Sequence, residues 1–125
     1  MSRTILIVDD EAHLRMLIQQ ALEDLEEEGV ELLTAANGEE ALETIQTAKP
    51  NLVFLDVMMP KLSGFDVCER AKHTLGLSDT YIVLLTAKGQ EFDRQRGQQV
   101  GADLYMTKPF DPDALLARAR TVLGL

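Results

Sequence analysis

Five short apolar runs alternate along the chain with stretches whose apolar residues recur at helical spacing. Thr4–Val8 is a β-branched run. Ala12 to Glu28 follows, with Leu14, Leu17, Ile18, Ala21 and Leu25 on one helical stripe, and Gly29 is placed to end it as a left-handed cap. Val30–Ala35 is the next strand candidate. Asn37 can cap a second helix, with Glu40 completing a capping-box-like pair, and Pro50 ends that helix at or before Lys49. Leu52–Leu55 is a third apolar run, closed by Asp56. Ser63 can cap a helix from Gly64 to about Leu75. Tyr81–Leu85 is a fourth strand, closed by Thr86. From Gln90 to about Val100 the helical pattern is weak, because Gly97 interrupts it and its stripe is only Phe92 and Val100. Asp103–Met106 is a short fifth strand. Asp111 then caps the last helix, with Pro112 at its first position.

The element order is strand–helix, five times over. The central runs are continuously apolar rather than alternating, which suits a parallel sheet covered on both faces. Right-handed crossovers leave few topologies, and the expected fold is an α/β, doubly wound, flavodoxin-like (βα)5 sheet of order 2-1-3-4-5. Neither a linker-like stretch nor an internal repeat divides the chain, so residues 1–125 are expected to form one domain.

Composition narrows the function. At 46% apolar and 26% charged, 125 residues can bury a core without a staple, and the lone Cys68 excludes an internal disulfide and a cysteine-built zinc site. The apolar runs fall far short of the roughly 20 residues of a membrane span, and the start does not read as a signal peptide, so a cytoplasmic protein with no membrane partner is expected. Net charge is −9, which repels a phosphate backbone and argues against nucleic acid as a direct ligand. The charge is lopsided: residues 1–60 hold 13 acids and 3 bases, residues 61–125 hold 8 acids and 9 bases. The acids of Glu23 to Glu31 read as a solvated helix end.

In such folds ligands bind outside the carboxyl ends of the strands. Strand one ends in Asp9-Asp10, strand three in Asp56, strand four in Thr86, and strand five is followed by Lys108-Pro109. Strands one and three are neighbours about 4.8 Å apart in this order, so three carboxylates converge. Their repulsion should raise at least one pKa, and a hard divalent cation such as Mg²⁺ resolves it. Any one of these residues alone reads as a helix cap or a surface group; the set, delivered by four strand ends, does not.

The segments Val8-Asp9-Asp10-Glu11, Leu55-Asp56-Val57-Met58-Met59-Pro60, Leu85-Thr86-Ala87 and Tyr105-Met106-Thr107-Lys108-Pro109-Phe110 resemble the receiver domain of two-component response regulators. Gly64 and Gly101-Ala102-Asp103 fit the same pattern, and the resemblance runs from Thr4 to Leu123. It implies that Asp56 is the phosphoacceptor, taking a phosphoryl group from a sensor histidine kinase or histidine phosphotransfer protein. It implies that Asp10, Asp56 and the Met58 backbone carbonyl bind Mg²⁺ directly, and that Asp9 acts through water. Lys108 would pair with the phosphoryl oxygens, Thr86 would offer them its hydroxyl, and Tyr105 would be the switch aromatic. Phosphorylation would then alter the surface of helix four, strand five and helix five, which meets a downstream effector protein or a fused output domain. The Lys108–Pro109 bond would be cis. The positions held by Met58 and Lys88 influence phosphoryl lifetime in that family. Asp103 and Arg118 match the charged pattern of its dimerising branch, but Leu104 and Ala114 stand where that branch carries acids; a monomer or a phosphorylation-dependent dimer is expected. The chain stops at Leu125, just past its fifth helix, which favours a stand-alone receiver over an excised domain.

Such a protein is a signalling switch rather than an enzyme, catalysing only its own phosphorylation and dephosphorylation. An aspartyl-nucleophile phosphatase would need a second acid where Met58 stands. A flavin carrier would need a hydroxyl- and glycine-rich loop where Asp9-Asp10-Glu11 stands. A degenerate, purely protein-binding receiver would lack residues that are here. His13 reads as a solvated helical residue, Met16, Met58, Met59 and Met106 as packing or loop residues, and Cys68 as a small helix residue with no redox role. Phe110 reads equally as core or as partner surface.

Overall fold

A computed structural model describes residues 3–87, 92–108 and 110–125; of Ala87 and residues 92–94 it describes the backbone only. The strands are β1 (Arg3–Val8), β2 (Val30–Ala35), β3 (Leu52–Asp56), β4 (Tyr81–Ala87) and β5 (Leu104–Lys108), and the helices α1 (Ala12–Leu22), α2 (Gly38–Ala48), α3 (Gly64–Glu69), α4 (Phe92–Gln99) and α5 (Pro112–Leu123). The five strands form one parallel sheet in the order β2-β1-β3-β4-β5, as the crossover rule requires.

Period-two alternation divides the core. Leu6, Val8, Val53, Leu55, Ile82 and Leu84 face one side, under α2, α3 and the end of α4. Ile5, Ile7, Leu52, Phe54, Val83 and Leu85 face the other, under α1 and α5. Every residue from Ile5 to Val8 and from Leu52 to Leu55 is fully buried, hence the unbroken apolar runs.

Local chemistry sets the helix ends. Asn37 accepts the Glu40 N–H at 2.9 Å, and Glu40 reaches back to the Ala36 N–H at 3.1 Å. Ser63 and Asp66 form a full capping box at the start of α3. Asp111 caps α5 with Pro112 beside it. Gly29 ends its segment at φ 89°.

Four expectations need correction. The first helix does not run to Glu28: α1 stops at Leu22 and a 3₁₀ turn covers Glu23–Glu28. Leu22 and Leu25 are buried three residues apart, which is the 3₁₀ period, while Glu28 stays exposed and pairs with Arg120 of α5 at the surface. The third helix does not continue as an α-helix to Leu75; Arg70–Thr74 is a π-helical turn, closed by the Leu75 N–H on the Arg70 carbonyl. Gly97 does not interrupt α4, which passes through it from Phe92 to Gln99; Gln90 and Glu91 lie outside the described residues. The fifth strand starts at Leu104 and ends at Lys108, one residue later and two residues further than expected.

Candidate functional site

The register explains how four residues from three strands meet. Val8 pairs with Leu55, Asp56 with Leu85 and Leu85 with Met106, so the carboxyl ends of β1 and β3 lie level, and Lys108 stands two residues further along β5. Alternation then puts Asp9, Asp56 and Lys108 on the parity of the α1/α5 face. Thr86 has the opposite parity, shared with Leu84 and with Tyr105, which pairs with Leu84.

Asp9, Asp10 and Asp56 bring carboxylate oxygens within 4.8 Å of one another. Asp9 is fully buried; one of its oxygens accepts the Glu11 N–H at 2.9 Å and the other faces Lys108 Nζ at 3.2 Å. Asp56 is 4% exposed and takes Lys108 Nζ at 3.0 Å. Asp10 is exposed. Gly64 makes this packing possible: a Cβ there would lie 2.3 Å from the Asp56 carbonyl oxygen, and the Gly64 N–H donates to Val57 O.

Burial, first, pushes the Asp56 carboxyl up to about 6; the Asp9 charge adds to the rise, while Lys108 and the Met58 N–H oppose it. The expected rise is therefore present, but desolvation outweighs carboxylate repulsion as its cause. Burial works against the Lys108 ammonium too, yet its hydrogen bonds and charge attraction to Asp56 and Asp9 leave its pKa above the ordinary value. Lys108 is thus cationic at neutral pH, and the pocket is a buried acid held against a fixed cation.

The donor set is carboxylate oxygen only, from two adjacent residues and a third across the strand gap, and such hard, closely spaced oxygens fit Mg²⁺. One contributor escaped the sequence reading. Arg15 Nη1 donates to the Asp9 carbonyl at 2.6 Å, bracing the β1–α1 turn from the helix. Its signal was its rarity, as one of 3 bases among 13 acids in residues 1–60.

Thr86 is buried at 1% exposure near the end of β4, and Tyr105 is half-buried with its ring against Gly97. Met58 is 61% exposed. Pro109, where a cis bond was expected, and Lys88 lie outside the described residues. Cys68 is buried in the α2/α3 layer, and His13 is exposed on α1. Phe110 packs against the α1/α5 core while remaining partly exposed.

The family model of the response regulator receiver domain matches residues 5–120. The chain is 45% identical over 123 residues to the alkaline phosphatase synthesis transcriptional regulatory protein PhoP of Bacillus subtilis, covering 98% of this chain and 49% of that protein. It is 46% identical over 121 residues to the phosphate regulon transcriptional regulatory protein PhoB of Pseudomonas aeruginosa, covering 97% and 52%. It therefore spans about half the length of the curated relatives it matches. Among solved structures, the chemotaxis protein CheY4 of Vibrio cholerae superposes with a TM-score of 0.84 at 32% identity, covering 98% of this chain and 99% of that one. The BeF3-activated DrrB receiver domain gives 0.85 at 33% identity over the whole of both chains.

Proposed function

This chain belongs to the response regulator receiver domain family of two-component systems, and from that membership we propose that it accepts a phosphoryl group on Asp56 in a Mg²⁺-dependent reaction. The supporting observation is the Asp56–Lys108 pair, set among Asp9 and Asp10 at the carboxyl edge of the sheet.

A carboxylate oxygen of Asp56 attacks the phosphorus of a phosphohistidine on a sensor kinase or phosphotransfer protein. The new O–P bond forms as the P–N bond breaks, and the imidazole leaves with the bond's electron pair. Lys108 stays protonated and faces the developing phosphoryl charge. Asp9 holds Lys108 on one side and the Glu11 N–H on the other, which keeps the ammonium aimed at Asp56. Asp10, Asp56 and the Met58 carbonyl would hold Mg²⁺, with Asp9 acting through water. Bound there, the ion would supply positive charge to phosphoryl oxygens that otherwise meet three carboxylates.

The output is conformational. Thr86 and Tyr105 share a face of adjacent strands, and Tyr105 in turn touches α4 at Gly97. A phosphoryl group that draws the Thr86 hydroxyl inward changes the space open to the Tyr105 ring. It shifts the equilibrium only because the two states bind it differently. The partner of the α4–β5–α5 surface is a protein, either a separate effector or an output domain on the same chain. A phosphatase reading lacks its proton donor, since Met58 stands exposed where the second acid would be.

The test is incubation with acetyl phosphate, followed by intact mass. One phosphoryl adduct forms with Mg²⁺ and is lost in excess chelator. An adduct of equal yield in chelator overturns the metal requirement.

A further inference from the structure

Lys72, in the π-helical turn that follows α3, carries its ammonium into the protein with only 9% of its side chain exposed. An ammonium has three N–H donors, and three oxygens surround this one: Asp103 Oδ2 at 2.8 Å, the Thr80 carbonyl at 2.5 Å and the Ser78 carbonyl at 3.3 Å. The same Asp103 oxygen accepts the Ile82 N–H at 2.8 Å, and the Asp103 N–H donates to the Ile82 carbonyl at 3.0 Å. Lys72 therefore ties together the end of the third helix, the entry to β4 and the residue that precedes β5.

Neighbouring contacts tighten the same segment. Cys68 Sγ donates to the Val100 carbonyl at 3.5 Å, and Val100 is 1% exposed. Gly101, at φ 87°, lies so close that a Cβ would meet the Lys72 stem at 3.4 Å and His73 Nε2 at 3.5 Å. Residues 100–103, which join α4 to β5, are held along their length. The described side chains of α4 are not. Among its described side chains Gln95, Arg96, Gln98 and Gln99 are exposed, and the inward position is Gly97, which has no side chain to bury. Its Arg96–Glu69 pair, at 3.6 Å and half exposed, adds little.

We infer that Lys72 and Asp103 form a clamp on the α4–β5 connection, about which α4 pivots and through which its displacement reaches Tyr105, two residues past the clamp. The pivot rests on the switching described under Proposed function, whereas the clamp does not. Lys72 and Asp103 are positioning residues, touching neither the acid pocket nor the phosphoryl group. Because the clamp ends on two backbone N–H groups, it has a direct reporter in each.

The experiment is residue-resolved hydrogen exchange on the full chain, first without any phosphoryl mimic. In Lys72→Met the amides of Ile82 and Asp103 exchange at least about tenfold faster than in the unsubstituted protein, while those of Leu6 and Val53 are unchanged. Asp103→Asn shifts the same two amides in the same direction and serves if Lys72→Met does not fold. Exchange at Ile82 and Asp103 equal to that of the unsubstituted protein overturns the clamp. The second comparison adds beryllium fluoride with Mg²⁺. In the unsubstituted protein the changes fall in residues 95–99 and stop at Val100; in Lys72→Met they spread through 100–103. Changes through 100–103 as large as those in 95–99 of the unsubstituted protein overturn the pivot. If beryllium fluoride changes exchange nowhere, the switching reading falls and the pivot with it, while the clamp is decided by the first comparison.

Discussion

Lys108 and Asp56 sit on strands that are not neighbours, yet Nζ of one lies 3.0 Å from Oδ1 of the other, across the whole width of β4. The long lysine side chain spans that distance from a position two residues beyond the level of Asp56. Lys108→Met keeps the stem and removes the charge. The Asp56 pKa then rises further above about 6, because the chief group opposing its rise is gone. Carbon-13 titration of the Asp56 carboxyl checks this. Phosphoryl incorporation from acetyl phosphate slows by about ten- to a hundredfold, the scale of a charge-assisted hydrogen bond.

Asp56 also imposes a pH dependence on stability. Its folded pKa of about 6 lies above the ordinary carboxyl value of 3.8, so between those values the folded state holds a proton that the unfolded state has lost. Stability therefore falls as pH rises from about 4 to 6, and the full cost persists above that window. Asp56→Asn abolishes this cost. At neutral pH without metal it is more stable than the unsubstituted protein by about 1–3 kcal/mol, and the gap closes as pH falls from about 6 to 4. Urea denaturation across pH measures it, and added Mg²⁺ narrows the gap by stabilising the unsubstituted protein.

Two glycines separate close approach from backbone conformation. At Gly64 a Cβ meets the Asp56 carbonyl oxygen at 2.3 Å and two further backbone atoms at 2.9 Å, none of which can yield cheaply. Gly64→Ala destabilises by about 2–4 kcal/mol and displaces Asp56, the proposed phosphoacceptor. At Gly29 nothing lies within 4 Å, and only the φ of 89° resists a side chain. Gly29→Ala costs about 1 kcal/mol and leaves phosphorylation unchanged. Thermal denaturation of both variants makes the comparison.

Cys68 is fully buried, and burial pushes its thiol up to about 12. At pH 8 its thiolate fraction is about a thousandfold below that of an ordinary cysteine, before access is considered. A small alkylating reagent labels it only as fast as the protein opens, and urea at denaturing concentration restores ordinary labelling.

The sheet order and the edge on which the site lies were legible because both follow from simple periodicities. Continuous apolar runs mark doubly covered strands, and Asp9, Asp56, Thr86 and Lys108, at or next to their carboxyl ends, fall at one edge once the crossovers share a hand. What escaped was set by tertiary contact rather than by local pattern. The 3₁₀ turn goes with Leu22 and Leu25 buried three residues apart, a spacing an α-helix also tolerates. Gly97 read as a helix breaker, but its physical role is to seat the Tyr105 ring, which a Cβ would approach to 3.2 Å. Lys72 and Asp103 lie 31 positions apart and carry no motif of their own. Asp103 read only as part of a family pattern, and its bonds to Lys72 and Ile82 appear once the π-helical turn is placed.

The most direct test of Asp56 as the phosphoacceptor is intact-mass analysis after acetyl phosphate and Mg²⁺, run in parallel on the unsubstituted protein and on Asp56→Asn. The unsubstituted protein gains the mass of one phosphoryl group and Asp56→Asn gains none. An adduct retained at full level in Asp56→Asn places the phosphoryl group elsewhere and contradicts the role assigned to the β3 carboxylate.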